Sequence, residues 1–118
     1  MTIEAPLDLV AEISARKDGD VVLIDCLTLW LSNMLLADRD LEAECAALLS
    51  AMETCDAHLV CVSNEVGMGL VPENFLGRRF RDAQGLLNRE VAARAELAVF
   101  VVAGLPLVLK GALPEDLT

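Results

Sequence analysis

The chain has 118 residues, enough for one domain with a single core, and 55% of them are apolar, which excludes an intrinsically disordered protein. Its formal net charge of −10 argues against nonspecific nucleic-acid binding, because that activity requires a basic surface. The apolar residues come in runs of about five to eight, too short to span a bilayer, and no signal-peptide pattern opens the chain. We therefore expect one cytoplasmic domain over residues 1–118, with no membrane span and no nucleic-acid partner.

The amino-terminal half alternates helical and extended patterns. Apolar residues at helical spacing predict a helix over residues 6–17, and after an Asp-Gly-Asp turn the apolar run Val21–Asp25 predicts a strand. Because this strand is apolar on consecutive residues, we expect both of its faces to be buried. Helices are then predicted over residues 27–37 and 40–56.

The carboxyl-terminal half continues the alternation. In chain order it predicts a buried strand at Leu59–Ser63, a glycine-rich loop over residues 64–74, an amphipathic helix over residues 75–94, a third buried strand at Leu97–Ala103, a short edge strand at Leu107–Lys110 and a polar tail. Strands that alternate with helices imply a mostly parallel sheet with helices on its faces. We therefore expect a single three-layer α/β domain.

Asp25 is the first candidate site residue, because it ends a run of four apolar residues. In phosphate-loop nucleotide enzymes an acidic residue at this place holds or orients Mg²⁺. A carboxylate at a strand end can equally cap the helix that follows. The pattern leaves both roles open.

Asn64 and Glu65 follow the next predicted strand. An amide and a carboxylate there can bind a sugar hydroxyl, a metal-bound water or an attacking hydroxyl. The alternative is a polar turn whose side chains bind loop backbone groups. Gly67 and Gly69 permit close approach of a ligand, but no Lys-Ser/Thr pair follows them, so they do not form a phosphate loop.

An arginine cluster opens the predicted helix over residues 75–94. Arg78, Arg79 and Arg81 can clamp phosphates, because the planar guanidinium matches phosphate oxygens. The alternative is a solvated helix face, which we favour for Arg89 and Arg94.

The remaining reactive or aromatic residues favour structural roles. No Cys-x-x-Cys pair occurs, which predicts buried free thiols at the four cysteines, Cys26, Cys45, Cys55 and Cys61. The one histidine, His58, lies just before a predicted strand, and we interpret it as structural. Trp30 and Met34 can border an apolar ligand, but their spacing is more typical of core packing.

Several of these motifs, in order, resemble one family. They are Thr2–Glu4, Leu23–Asn33, Asn64–Gly69 with Val71–Asn74, Arg78–Asp82, Gly85, Leu87–Asn88 and Val102–Gly104. The chain is similar over nearly its whole length to the adenosylcobinamide kinase/adenosylcobinamide-phosphate guanylyltransferase family of cobalamin biosynthesis. The run from Asn64 to Asn74 is the most specific part of the resemblance.

The resemblance implies a phosphate-loop, RecA-like fold that uses GTP or ATP with Mg²⁺. It implies phosphorylation of adenosylcobinamide, then transfer of GMP to that phosphate through a guanylylated histidine. Glu4 and Asp25 match the family's two acidic nucleotide-binding positions, with Asp25 also the metal candidate. Family members resemble one another in forming homo-oligomers.

One departure from the family is large. The family's first strand, phosphate loop and guanylylated histidine have no counterpart in the sequence, and His58 lies in the wrong place to match that histidine. The chain therefore resembles the carboxyl-terminal two thirds of the enzyme. We expect an incomplete fold lacking the phosphate-loop strand, no catalytic residue of its own and no activity alone. The alternatives are a corrinoid-binding or oligomerisation remnant, or one half of a split enzyme.

Overall fold

The computed structural model describes residues 1–65 and 75–115. In chain order its elements are α1 (Leu9–Ser14), β1 (Val21–Asp25), α2 (Leu27–Leu36), α3 (Leu41–Thr54), β2 (His58–Val62), α4 (Phe75–Arg94), β3 (Ala98–Val102) and β4 (Leu105–Lys110). The predicted order of helices and strands is confirmed. The first helix, Leu9–Ser14, is shorter than the predicted span 6–17.

Short polar residues set the boundaries between elements. Gly19, at φ +91°, makes the predicted turn before β1, and the Lys17 amide donates to Asp20 Oδ2 at 2.8 Å across it. Asp40 caps α3 by accepting the Ala43 amide on Oδ1 at 3.2 Å. These local bonds explain why the predicted boundaries of β1 and α3 lie close to the observed ones.

The described strands form two separate two-stranded sheets, so the prediction of one mostly parallel sheet is wrong for them. β1 and β2 are parallel, in a register that runs from Val21 opposite His58 to Asp25 opposite Val62. β3 and β4 are antiparallel, because Ala103 and Gly104 both have positive φ and close a two-residue hairpin. The hairpin gives β3 a local partner, and no described strand joins it to β2.

Helices cover only one face of the β1–β2 sheet. Val22 and Ile24 point to this face and pack against the core. Their neighbours on the other face are exposed, with Val21 at 73% and Val60 at 52%. The prediction that β1 is buried on both faces is therefore wrong, and the described residues make two layers around this sheet rather than three. No described element lies over the second face.

The third predicted strand is present as β3, but the prediction that it is buried is wrong. Val101 in β3 is 64% exposed, and every residue of β4 is exposed. The edge-strand prediction for Leu107–Lys110 is confirmed as part of β4. Lys110 ties the hairpin to the end of α4, where its Nζ donates to the carbonyl oxygens of Ala92 at 3.2 Å and Ala93 at 2.8 Å.

The core lies between the inner face of the β1–β2 sheet and the four helices. Its buried apolar residues are Ile13, Ile24, Leu27, Trp30, Leu31, Met34, Leu41, Leu48, Ala51 and Leu87. This confirms the core interpretation of Trp30 and Met34. None of the helices in the described part of the chain is long and apolar enough to cross a membrane.

The four cysteines are free and partly buried, as predicted. Burial raises the pKa of the Cys45 thiol to about 11, with a smaller contribution from the neighbouring Glu44 carboxylate. Burial also raises the pKa of Cys61. Both thiols are therefore protonated at neutral pH, as inert core cysteines are.

Candidate functional site

The carboxyl edge of the β1–β2 sheet collects polar side chains. Because Asp25 pairs in register with Val62, it lies at the same edge as Asn64 and Glu65, which are two and three residues beyond the end of β2. All three residues are exposed. Ligands of open α/β folds bind at this edge. The geometry thus brings together three of the residues that the sequence singled out.

The cap of α2 bears on the two roles left open for Asp25. Cys26 is the N-cap, and its Sγ accepts the Leu29 amide at 3.4 Å. Among the described residues, no hydrogen bond or ion pair engages the Asp25 carboxylate. Asp25 therefore does not cap α2, and the exposed Asp25 carboxylate is available to a ligand.

A polar cluster lies just behind this edge. The fully buried Gln84 on α4 donates from Nε2 to Ser63 Oγ at 3.0 Å and to Asn88 Oδ1 at 2.9 Å. Asn88 Nδ2 donates to the carbonyl of Asn64 at 2.9 Å. Thr28 Oγ1, in the first turn of α2, accepts the Asn64 amide at 2.9 Å. These residues join α2, the end of β2 and α4.

The donors and acceptors of this cluster fix its proton arrangement. An amide oxygen only accepts, so the 2.6 Å bond between Ser63 Oγ and Asn88 Oδ1 uses the Ser63 proton. The Thr28 hydroxyl, 3.4 Å from Ser63 Oγ, must then be the donor of that pair. Within residues 1–65 and 75–115, the buried Gln84 Oε1 has no hydrogen-bond partner.

The predicted arginine cluster splits across the faces of α4. Arg81 lies three and seven residues before Gln84 and Asn88, and so shares their side of the helix. Arg79 instead lines a groove between α3 and α4 with Cys45 and Leu49. Arg78 is exposed, and its side chain lies nearer the Arg81 side by helical periodicity. Arg81 therefore lies on the side of α4 that carries the polar cluster, whereas Arg79 lies on the side that faces α3.

Arg94 has a structural role, as predicted. Its guanidinium pairs with Glu90 at 2.8 Å and with Glu53 on α3. Hydrogen bonds to Glu90 and then Glu53 raise the pKa of Arg94. The pair links the end of α4 to α3, far from the carboxyl edge of the sheet.

Two further predicted residues lie away from Asp25. Glu4 is exposed and lies in the segment before α1. Two residues later, the Pro6 carbonyl accepts a hydrogen bond from Asn33 Nδ2 at 3.2 Å. Asn33 lies about 9 Å along α2 from its start, whereas Asp25 precedes that start. His58 pairs with Val21 at the amino edge of the sheet, which confirms its predicted place opposite the site. The role of Glu4 stays a prediction.

The donor set at the edge suits Mg²⁺. This ion prefers oxygen ligands and usually takes one or two carboxylates together with water and substrate phosphates. Asp25 and Glu65 offer exposed carboxylates, and Asn64 an amide oxygen. No cluster of three or more His, Cys, Asp or Glu side chains occurs in residues 1–65 and 75–115, so phosphate oxygens would have to complete such a site.

Sequence reasoning missed most of the polar cluster. A usable signal was present, because Gln84 and Asn88 are polar residues one turn apart beside the apolar stripe of α4. The sequence pattern predicts Ser63 only as the end of a strand and Thr28 only as part of a helix. Gly67, Gly69 and the rest of residues 66–74, predicted as a ligand-approach loop, lie outside the described residues.

Comparison with known proteins places the chain in a family. The profile of the family described as cobinamide kinase / cobinamide phosphate guanyltransferase matches residues 1–109. The bifunctional adenosylcobalamin biosynthesis protein CobP of Pseudomonas aeruginosa is 44% identical over 93% of this chain, and CobU of Salmonella typhimurium is 37% identical over 77%. The chain spans 65% and 59% of the lengths of these relatives. The match thus confirms the resemblance read from the motifs: the chain belongs to the cobinamide kinase / cobinamide phosphate guanyltransferase family.

Proposed function

We propose that this chain forms part of an adenosylcobinamide kinase and adenosylcobinamide-phosphate guanylyltransferase, with its ligand site at the carboxyl edge of the β1–β2 sheet. The observation that carries the proposal is the exposed Asp25 carboxylate, which caps no helix and lies beside Asn64 and Glu65. The matched family and the names of the relatives support the substrate class. The cytoplasmic location remains a prediction.

Each site residue has a proposed role in this reaction. Asp25 would hold Mg²⁺, and such an ion would supply neutralisation of negative charge at the phosphates of GTP or ATP. Asn64 and Glu65 bind hydroxyl groups of adenosylcobinamide or water on the metal. Arg81, and Arg78 beside it, contact phosphate. Glu4 contacts nucleotide, as the family resemblance implies, and Arg79 is the weakest phosphate candidate because it lines the groove between α3 and α4.

Activity requires groups beyond these residues. Phosphoryl transfer depends on backbone amides and a lysine around the β- and γ-phosphates, and neither Lys17 nor Lys110 follows a glycine-rich loop. We expect the 118-residue chain alone to show no kinase turnover. We also expect no GMP adduct on His58, because it lies at the opposite edge of the sheet from Asp25. Turnover at a rate near that of the relatives would contradict this expectation.

The metal role of Asp25 can be tested once a phosphate-loop segment from a relative is joined to the chain. We expect this extended protein to bind Mg–GTP and the Asp25→Asn variant to bind it roughly tenfold or more weakly, a difference of about 1.4 kcal/mol. The loss should disappear when Mg²⁺ is omitted, because the carboxylate acts through the ion.

Asp56→Asn is the matched control. Asp56 is exposed and precedes β2, at the amino edge of the same sheet, so its substitution should leave nucleotide affinity unchanged. Equal binding of Mg–GTP by the parent and Asp25→Asn proteins would remove Asp25 from the metal site.

A second candidate function is a binding or oligomerisation role without catalysis. The observation that favours it is the open apolar face of the β1–β2 sheet, where Val21 and Val60 are exposed. In this case the chain assembles with another copy or with a longer relative, and adenosylcobinamide binds without being phosphorylated. Corrinoid binding by equilibrium dialysis, together with a kinase assay on the same sample, separates the two functions.

A further inference from the structure

We infer that Thr28, Ser63, Gln84 and Asn88 are positioning residues that clamp the main chain of Asn64 and so set where the Asn64 and Glu65 side chains stand. We call these four residues the Asn64 clamp. Its contribution to ligand binding rests on the proposed function, whereas its action on the main chain does not.

Both main-chain polar groups of Asn64 are bound by side chains from distant parts of the sequence. The amide donates to Thr28 Oγ1 at 2.9 Å, and the carbonyl accepts Asn88 Nδ2 at 2.9 Å. Asn64 lies two residues beyond Val62, the last residue of β2, so no sheet ladder holds it. Since the Asn64 side chain is exposed, the clamp fixes the backbone while leaving the side chain to contact solvent or ligand.

The clamp has one consistent proton arrangement, which makes it directional. Ser63 donates to Asn88 Oδ1, and this bond turns the Asn88 amide so that Nδ2 faces the Asn64 carbonyl. Thr28 donates to Ser63 and therefore keeps its lone pair for the Asn64 amide. Each bond thus orients the next one, as in a cooperative network.

Gln84 shows that the cluster serves more than packing. Its side chain is fully buried, and one of its amide atoms, Oε1, has no hydrogen-bond partner among the described residues. A buried unpaired acceptor is unfavourable, and an apolar residue would fill this position of α4 without that cost. What glutamine adds is a donor that bridges Ser63 and Asn88, the two residues that orient the clamp.

The clamp also relates the two candidate ligand groups to each other. Thr28 lies three residues after Asp25, in the first turn of the helix that Cys26 caps. The bond from the Asn64 amide to Thr28 therefore ties the end of β2 to the end of β1. It sets the spacing between the Asp25 carboxylate and the Asn64 amide, which a bound substrate would need to span.

The test removes one atom of the clamp and restores it. Thr28→Val keeps the shape of the side chain and loses Oγ1, and Thr28→Ser returns the hydroxyl. Thr54→Val is the matched control, because it loses a hydroxyl that bonds to the Ser50 carbonyl at 3.0 Å near the end of α3, away from the site. Amide hydrogen exchange and chemical shifts are measured by NMR on the whole chain.

We expect the Asn64 amide to exchange roughly two- to tenfold faster in Thr28→Val, which corresponds to the loss of one net hydrogen bond. Thr28→Ser should restore the parent rate, and Thr54→Val should leave it unchanged. Asn64 exchange at the parent rate in Thr28→Val overturns the clamp. If Thr28→Val does not fold, Asn88→Asp replaces the Nδ2 donor to the Asn64 carbonyl by a charged oxygen that only accepts, and the chemical shift of the Asn64 carbonyl then decides the matter in the same way.

Titration with adenosylcobinamide separates the clamp from the proposed function. If the parent binds and Thr28→Val binds more weakly, with recovery in Thr28→Ser, the clamp positions a ligand group. Equal affinity of parent and Thr28→Val overturns that positioning role. If the parent binds no adenosylcobinamide, the substrate assignment fails, and the exchange rates alone decide whether the clamp exists.

Discussion

The two faces of the β1–β2 sheet are built from similar residues but have different surroundings. On the inner face, Ile24 is 5% exposed and belongs to the buried apolar core. On the outer face, Leu23 is 64% exposed, although it is the adjacent residue of the same strand. The contrast teaches that apolar side chains specify that a face should be covered, but not which polypeptide covers it.

The β3–β4 hairpin is a second region with exposed apolar side chains. Its backbone is paired within the hairpin, and Lys110 fastens it to α4, yet its apolar side chains are exposed. Parallel sheets normally have both faces covered, and large exposed apolar areas usually mark interaction surfaces. We therefore regard the outer face and the hairpin as two surfaces, each suited to another polypeptide segment.

The first prediction compares matched truncations in the two regions. Leu48 on α3 is fully buried and Leu109 on β4 is 64% exposed. We expect Leu48→Ala to lower the free energy of unfolding by about 2–5 kcal/mol, because it leaves a cavity. Leu109→Ala should change it by less than about 0.5 kcal/mol. Urea denaturation of both variants measures the difference, and a large cost for Leu109→Ala would show that the hairpin is buried in solution.

The second prediction concerns self-association through these two surfaces. We expect the chain to form oligomers whose sedimentation depends on concentration, because exposed apolar strands recruit other chains. Replacing Val60 and Val101, which are 52% and 64% exposed, by lysine should weaken association by roughly tenfold or more, about 1.4 kcal/mol.

The control for this second experiment is Ala47→Lys, an exposed site on α3 that lies outside both sheets. It adds the same charge and should leave association unchanged. A parent chain that sediments as a monomer at all concentrations would argue that the two surfaces are tolerated in solvent, and would count against the homo-oligomer prediction.

The smallest expected effect comes from the packed region and concerns pH. The Cys45 pKa is raised to about 11 from a model-compound value of 9.0, so the unfolded chain loses this proton at lower pH than the folded chain. Stability should therefore fall as pH rises through 9 to 11. Because the thiol is only half-buried, we expect a loss below about 1 kcal/mol after screening.

The Cys45→Ala variant isolates the contribution of this thiol to the pH dependence of stability. Its melting temperature should fall less steeply between pH 9 and pH 11 than that of the parent. Parallel curves for the two proteins would mean that the Cys45 thiol does not contribute to the pH dependence.

The fold was predictable where its signals are local. Val21–Asp25 has β-branched residues and a turn before it, and the observed strand has those bounds. The helix over residues 75–94 follows from its apolar spacing, and the observed α4 has the same bounds. The burial of Leu97–Ala103 was mispredicted, because an apolar run does not reveal whether a neighbour exists to bury it.

The candidate site divides in the same way. Its edge was predictable, since parallel strands bring Asp25 and Asn64 together whatever their helices do. The division of Arg79 from Arg81 followed from where α3 packs on α4. The capping role of Cys26 was not predicted, because thiols are weak acceptors and rarely serve as caps.

By itself, the sequence determined the order of helices and strands, the family and the polar residues that end two parallel strands, because these depend on local propensity and short motifs. Only the tertiary structure decided that the sheet is covered on one face, that β3 pairs with β4, and that Thr28 and Asn88 hold Asn64 from two helices. The bonds to Asn64 join residues 24 and 36 positions apart, and such contacts are set by how whole elements pack.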